Sequence, residues 1–182
     1  MSETALLDVD QRGVATLTLN RPDVRNAFDN DLIAKITGLL VELQARTDVR
    51  VVILTGAGTS FSSGADINWM RAMADFSEEQ NYEDALQLAE LMATLNHLTK
   101  PTIGRINGHV FGGGVGLVCC CDIAIAASEA LFCLSEVRLG LVPAVISPYV
   151  IDAVGPRNAR RFFLSAEPMS ARKARRVGLV HE

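Results

Sequence analysis

Apolar and polar residues alternate along Leu6 to Val9 and again along Val14 to Leu19, with Asp10-Gln-Arg-Gly13 between them. A period of two interrupted by a turn-forming tetrapeptide predicts a β-hairpin. The period lengthens after Asp29: Leu32, Ile36, Leu39, Leu40 and Leu43 recur at helical spacing, which predicts an amphipathic helix over 29–45. The apolar runs Val51-Val-Ile-Leu54 and Pro101-Thr-Ile-Gly-Arg-Ile106 predict two strands. Between them, Ser77 and Gln80 stand in capping-box spacing ahead of a helical pattern through Leu86, Leu91, Met92, Leu95 and Leu98. Residues 112–121 read as a further helix. Ser147 is expected as an N-cap with Pro148 at the first helical position, and Gly155 and Gly178 are expected to stop short helices. This alternation predicts a single α/β layered domain with at least partly parallel pairing, and leaves the strand order open.

Composition narrows the function classes. With 182 residues, 49% hydrophobic and 21% charged, the chain is long enough for one sizeable core. Its net charge of -4 argues against a nucleic-acid partner, which needs clustered positive charge. The one basic cluster, Arg172-Lys-Ala-Arg-Arg176, reads as the solvated face of a short helix, with a phosphate contact to a neighbouring ligand as the alternative. There is no run of 18 apolar residues and no charged start before an apolar stretch, so a cytoplasmic protein with no membrane partner is expected. Cys119, Cys120 and Cys121 are adjacent and Cys133 stands alone, unlike a disulfide framework or a zinc site; they read as small apolar fillers, and no metal site is expected.

Candidate chemistry sits in two glycine-bearing loops, Phe61-Ser-Ser-Gly-Ala-Asp66 and His109-Val-Phe-Gly-Gly-Gly114, each following a β-like run. Glycine permits sharp turns and close approach of a ligand to the main chain, so amide N–H groups there can be aimed at a carbonyl oxygen. The pair reads as two halves of an oxyanion hole, or else as ordinary strand-to-helix turns. The turn Thr55-Gly-Ala-Gly58 superficially resembles a dinucleotide-binding turn, but Phe61 occupies its third glycine position, and a nucleotide-binding reading is rejected.

The loops are followed by Asp122-Ile-Ala-Ile-Ala126 and Leu131-Phe-Cys-Leu-Ser-Glu-Val-Arg-Leu-Gly-Leu-Val-Pro143, and preceded by Leu19-Asn-Arg-Pro22 and Arg25-Asn-Ala27. In these segments the chain resembles the enoyl-CoA hydratase/isomerase, or crotonase, family. Val110 to Leu117 and Leu134 to Pro148 most resemble bacterial methylglutaconyl-CoA hydratases and their isoprenoid-degrading relatives. The resemblance implies the spiral of ββα repeats of the ClpP/crotonase-like fold, an acyl-CoA substrate with no separate cofactor, lyase activity in fatty acid metabolism or leucine catabolism, and, if the C-terminal region is present, assembly into a homotrimer or dimer of trimers. It also implies that the chain, ending at Val180-His-Glu182, lacks C-terminal trimerisation helices.

The resemblance assigns the oxyanion donors to the backbone of Ala65 and Gly113, and the acid/base role to Glu136. Arg25, Ala27, Ser63, Asp66, Ile67, Gly112 and Gly116 join Ala65 and Gly113 as residues expected at the substrate and CoA. Asp66 has a helix cap as its alternative role, and Glu136 a surface pair with Arg138. Trp69 is expected in the core or the acyl pocket. Hydratases of the family typically use two glutamates, and the first falls at Gly116 here. A lone Glu136 leaves hydration, isomerisation and a non-catalytic CoA-binding subunit as readings. A substrate with a second carboxylate calls for a cation, for which Arg105 and Arg138 are the candidates.

Overall fold

The hairpin forms as β1 (Ala5–Val9) and β2 (Val14–Leu19), antiparallel, with Leu7 opposite Leu17. The structure is a computed structural model that describes residues 3–182. Helix α1 (Asn30–Ala45) starts at the expected place because Asp29 caps it, accepting the Leu32 N–H at 2.9 Å, and it buries Leu32, Ile33, Ile36, Leu40 and Leu43. Strand β3 (Val51–Gly56) then pairs parallel to β2.

From here each turn of the chain repeats one plan. Strand β3 is followed by β4 (Ser60–Ser62) and by helices α2 (Ile67–Met73) and α3 (Glu78–Asn96). Next come β5 (Thr102–Ile106), β6 (His109–Phe111) and α4 (Gly113–Cys119). The third turn is β7 (Ile123–Ala126), β8 (Leu131–Cys133) and α5 (Ser147–Ser165), and β9 (Met169–Ser170) and α6 (Ala171–Val177) close the order. The first strand of each turn joins a five-stranded sheet, β1-β2-β3-β5-β7, and the second joins a four-stranded sheet, β4-β6-β8-β9. The expected spiral of ββα units is therefore present. Pairing is parallel except for β1 with β2 and β8 with β9.

The capping box at Ser77 and Gln80 is made in both directions, and α3 follows it. Leu86 is exposed, because the buried stripe of α3 runs through Leu91, Met92 and Leu95 where α3 meets α1 and α4. One expectation is corrected at α5. Ser147 is its first residue and not its cap: the Ser147 hydroxyl donates back to the Ala144 carbonyl at 2.9 Å. Gly155, at φ 76° and ψ 156°, stops the first helical segment of α5 as expected, and Pro156 starts a second segment across the kink. Gly178 ends α6 as expected.

Phe28, Phe61, Phe132 and Phe162 are fully buried in the main core, which is continuous from α1 through α3, α4 and α5. The four cysteines are free thiols; Cys120, Cys121 and Cys133 are buried, and desolvation pushes the Cys121 thiol up to about 12. Among the described residues no helix is long and apolar enough to cross a membrane, and no cluster of side chains suits a metal ion.

Candidate active site

Three parallel neighbours in the smaller sheet deliver the candidate chemistry to one place. Ser60 of β4 pairs with His109 of β6, and Phe111 of β6 pairs with Cys133 of β8. Because the strands run the same way, the segments leaving their C-terminal ends, residues 63–66, 112–114 and 135–136, emerge side by side. This is where open parallel sheets commonly bind ligands. Ala65, Gly113 and Glu136 lie far apart in sequence, yet all line one cavity of about 350 Å³.

The loops touch at Gly64. It adopts φ +82°, and a Cβ there would stand 2.9 Å from the Phe111 carbonyl oxygen and 3.4 Å from the Gly113 nitrogen, so no larger residue fits without moving the second loop. Phe28 fastens both loops. Its N–H donates to Gly64 O at 2.7 Å, its carbonyl accepts from Asp66 N at 2.8 Å, and its ring edge lies 3.0 Å from where a Cβ on Gly113 would stand. That single parallel bridge between Phe28 and Ala65 leaves the Ala65 N–H on the opposite side of its strand. Among the described residues, neither the Ala65 nor the Gly113 N–H is taken up by a protein acceptor. For Gly113 this follows from its position as the first residue of α4, where helical N–H groups have no partner within the helix.

Glu136 begins a short 3-10 turn, Glu136–Leu139, after β8. Its Oε1 lies 3.3 Å from the place a Cβ on Gly112 would occupy, and Gly112, at φ +50°, donates its N–H to Cys133 O at 2.9 Å. The Oε2 atom is buried with no hydrogen-bond partner, and desolvation raises the carboxyl above the ordinary glutamate value of 4.5. Arg138 does not pair with it: its Nη2 donates to the Ala166 carbonyl at 2.7 Å. Arg105 rests near the Thr55 hydroxyl, and no lysine, arginine or histidine lines the cavity among the described residues.

Phe28, Trp69, Met70, Leu88, Val145 and Ile146 form much of the apolar wall. The other expected contact residues divide. Ser63, Ile67 and Gly112 line the cavity; Ala27 and Asp66 are buried beside it, Asp66 capping α2 by accepting the Asn68 N–H at 2.9 Å. Exposed Arg25 lies in a neighbouring cleft of about 360 Å³ with His109 and Phe111, and Ser63 lines both. Gly116 does not reach the cavity. It is buried in α4, and a Cβ there would lie 2.9 Å from Ile146 Cβ and 3.2 Å from Met92 Cε, so alkyl groups hold the space a side chain would need.

Phe28 and Ile146 escape a motif-based reading because their placement depends on which segments become neighbours. The apolar run Leu141-Val-Pro-Ala-Val-Ile146, close after the Glu136–Leu139 turn, is the one sequence signal that marks Ile146 as a wall residue.

The enoyl-CoA hydratase/isomerase family profile matches residues 10–182. Among solved structures, an enoyl-CoA hydratase from Shewanella pealeana superposes with a TM-score of 0.95 at 46% identity, over 98% of this chain and 67% of that one. Enoyl-CoA hydratase ACTT6 of Alternaria alternata is 37% identical over 95% of this chain and 56% of its own length. The 2,3-dehydroadipyl-CoA hydratase of Escherichia coli is 35% identical over 94% and 66%. The chain thus spans less than two thirds of these two curated relatives. With its ββα spiral and this degree of likeness along nearly its whole length, the chain belongs to the enoyl-CoA hydratase/isomerase family and has the crotonase fold.

Proposed function

We propose that the chain carries the catalytic core of an enoyl-CoA hydratase, a hydro-lyase in which Glu136 is the only acid/base. The observation that carries this reading is the unpartnered Glu136 Oε2, buried in a cavity lined by two glycine-bearing loops that present unspent N–H groups. A thioester carbonyl oxygen accepts from the Ala65 and Gly113 amides, each worth about 3 kcal/mol to a developing enolate. The Glu136 carboxylate takes one proton from water as the hydroxyl adds to the β-carbon. The enolate then takes that proton from the Glu136 carboxylic acid at the α-carbon, and the carboxylate is restored. Both additions come from the side of the carboxyl, so the product is that of syn hydration.

A carboxyl raised by burial suits this double duty, because it gives up and takes back a proton nearer neutrality than a solvated glutamate. The cleft containing Arg25 and joined to the cavity through Ser63 offers the CoA portion a path to solvent. A β-branched enoyl group is the favoured substrate, and the apolar wall formed by Trp69, Met70 and Ile146 supports one without a second carboxylate. The resemblance of residues 110–117 and 134–148 to methylglutaconyl-CoA hydratases favours 3-methylglutaconyl itself, whereas the lack of a cation among the described residues lining the cavity opposes it. Trimer assembly and a cytoplasmic setting belong to the same reading.

The missing carboxylate at Gly116 favours one second reading, isomerisation, in which Glu136 moves one proton between carbons and no water adds. Mass spectrometry of 2-enoyl, 3-enoyl and methylglutaconyl-CoA thioesters incubated with the protein separates these. Gain of one water is expected. An unchanged mass with a migrated double bond makes the protein an isomerase, and thioester binding without reaction makes it a non-catalytic subunit.

A further inference from the structure

We propose that Arg21 is a positioning residue for the Ala65 amide, acting through Asp66. The inference rests on the reading that Ala65 donates to a thioester carbonyl.

One guanidinium holds three points on two segments. Its Nη2 lies 2.8 Å from Asp29 Oδ2 and 3.2 Å from Asp66 Oδ2, and its Nη1 donates to the Ala27 carbonyl at 2.6 Å. Asp66 directly follows Ala65, and Ala27 and Asp29 flank Phe28, the residue that bridges to Ala65. Arg21 therefore crosslinks both sides of the one-residue bridge from which the Ala65 N–H projects. The backbone joins the two segments by the bonds from Phe28 N to Gly64 O and from Asp66 N to Phe28 O at the bridge, and from Ser63 N to Arg25 O before it. The side chains of Arg21, Asp29 and Asp66 are 20%, 26% and 12% exposed, so solvent screens the ion pairs only in part.

The arginine is itself held in place. Its N–H donates to Asn26 Oδ1 at 2.9 Å, and the fully buried Asn26 donates through Nδ2 to the Ala57 and Ser60 carbonyls. Arg25 and Asn26 both sit at φ 55°, a left-handed conformation that non-glycine residues keep only where the surroundings impose it. A planar fork can satisfy two carboxylates and a carbonyl at once; a lysine ammonium is a single point of charge.

The test pairs kinetics with 13C NMR of a saturated acyl-CoA labelled at the thioester carbonyl. Hydrogen bonds from Ala65 and Gly113 displace the bound carbonyl resonance from its free position. Arg21→Met is expected to shrink that displacement and to lower kcat about 10- to 100-fold, the scale of a misplaced reacting group, with KM changed less than about threefold. Arg21→Lys is expected to fall between, and keeps the test open if the methionine variant does not fold. Asp66→Asn should reproduce the loss, and adding it to Arg21→Met should cost nothing more. A displaced wild-type resonance that the folded Arg21 variants leave unchanged, or losses that add in the double variant, overturns the positioning role alone. An undisplaced resonance in the wild type overturns it together with the thioester reading.

Discussion

Ile146 stands where a side chain on Gly116 would project: a Cβ at 116 would lie 2.9 Å from the Ile146 Cβ and closer still to its Cγ2. The two positions are complementary, one empty and the other filling the space. Gly116→Glu is therefore expected to destabilise the fold by at least about 2 kcal/mol, since overpacking and an unpaired buried carboxylate both oppose it, and to add no turnover. Gly116→Glu with Ile146→Gly should recover part of the stability. Denaturant unfolding of the three proteins checks this; a single variant as stable as wild type contradicts it.

Glu136→Gln is expected to reduce hydration at least about 100-fold, the typical contribution of a positioned acid/base. Binding of a saturated acyl-CoA should stay within a few fold, because the amide keeps the shape of the carboxyl. Isothermal titration alongside steady-state rates checks both halves.

Burial raises the Glu136 pKa, so the folded protein holds this proton to a higher pH than the unfolded chain does. Stability from this group is complete below the unfolded value of 4.5 and is lost as pH rises through the folded value. Relative to wild type, the permanently neutral Glu136→Gln should gain stability across that window and show no gain from this source below it. The acid limb of kcat/KM in the wild type should have its midpoint above 4.5, since Glu136 must start as the carboxylate to activate water. A midpoint at or below that value contradicts the assignment.

At Gly112 a Cβ would sit 3.3 Å from Glu136 Oε1 on a backbone at φ +50°. Gly112→Ala should both strain the turn, by about 1 kcal/mol, and push the carboxyl aside. Turnover is expected to drop about tenfold or more, a far larger effect than the loss of stability explains; equal rates in the two proteins contradict the placement.

The cysteines should be chemically quiet. Burial raises the thiols of Cys119, Cys120, Cys121 and Cys133, which disfavours the nucleophilic thiolate. Alkylation of the folded protein by iodoacetamide at neutral pH is expected to be slow and to leave activity intact, as intact-mass measurement and a rate assay check together.

Local structure was legible where local chemistry controls it. Asp10-Gln-Arg-Gly13 turns the hairpin, Asp29 starts α1, Ser77 and Gln80 make their box, and Gly178 ends α6. The smaller sheet was not, because β4, β6 and β8 are three residues each, too short for a period to register, and parallel register depends on contacts distant in sequence. For the same reason the glycine loops were visible as motifs while Phe28, which fastens them, was not. Ser147 misled because a serine before proline satisfies the cap pattern, whereas here the helix begins one residue earlier than that pattern requires. The family likeness named Ala65, Gly113 and Glu136; their convergence on one cavity comes from the alignment of three strand ends.

The most direct test of the central claim is a single-turnover reaction of a 2-enoyl-CoA in 18O-labelled water, with wild type and Glu136→Gln compared by mass spectrometry. Hydration through Glu136 predicts one labelled oxygen on the β-carbon with wild type, formed at least about 100-fold more slowly by the variant. Product without label, or label appearing equally fast in Glu136→Gln, contradicts it.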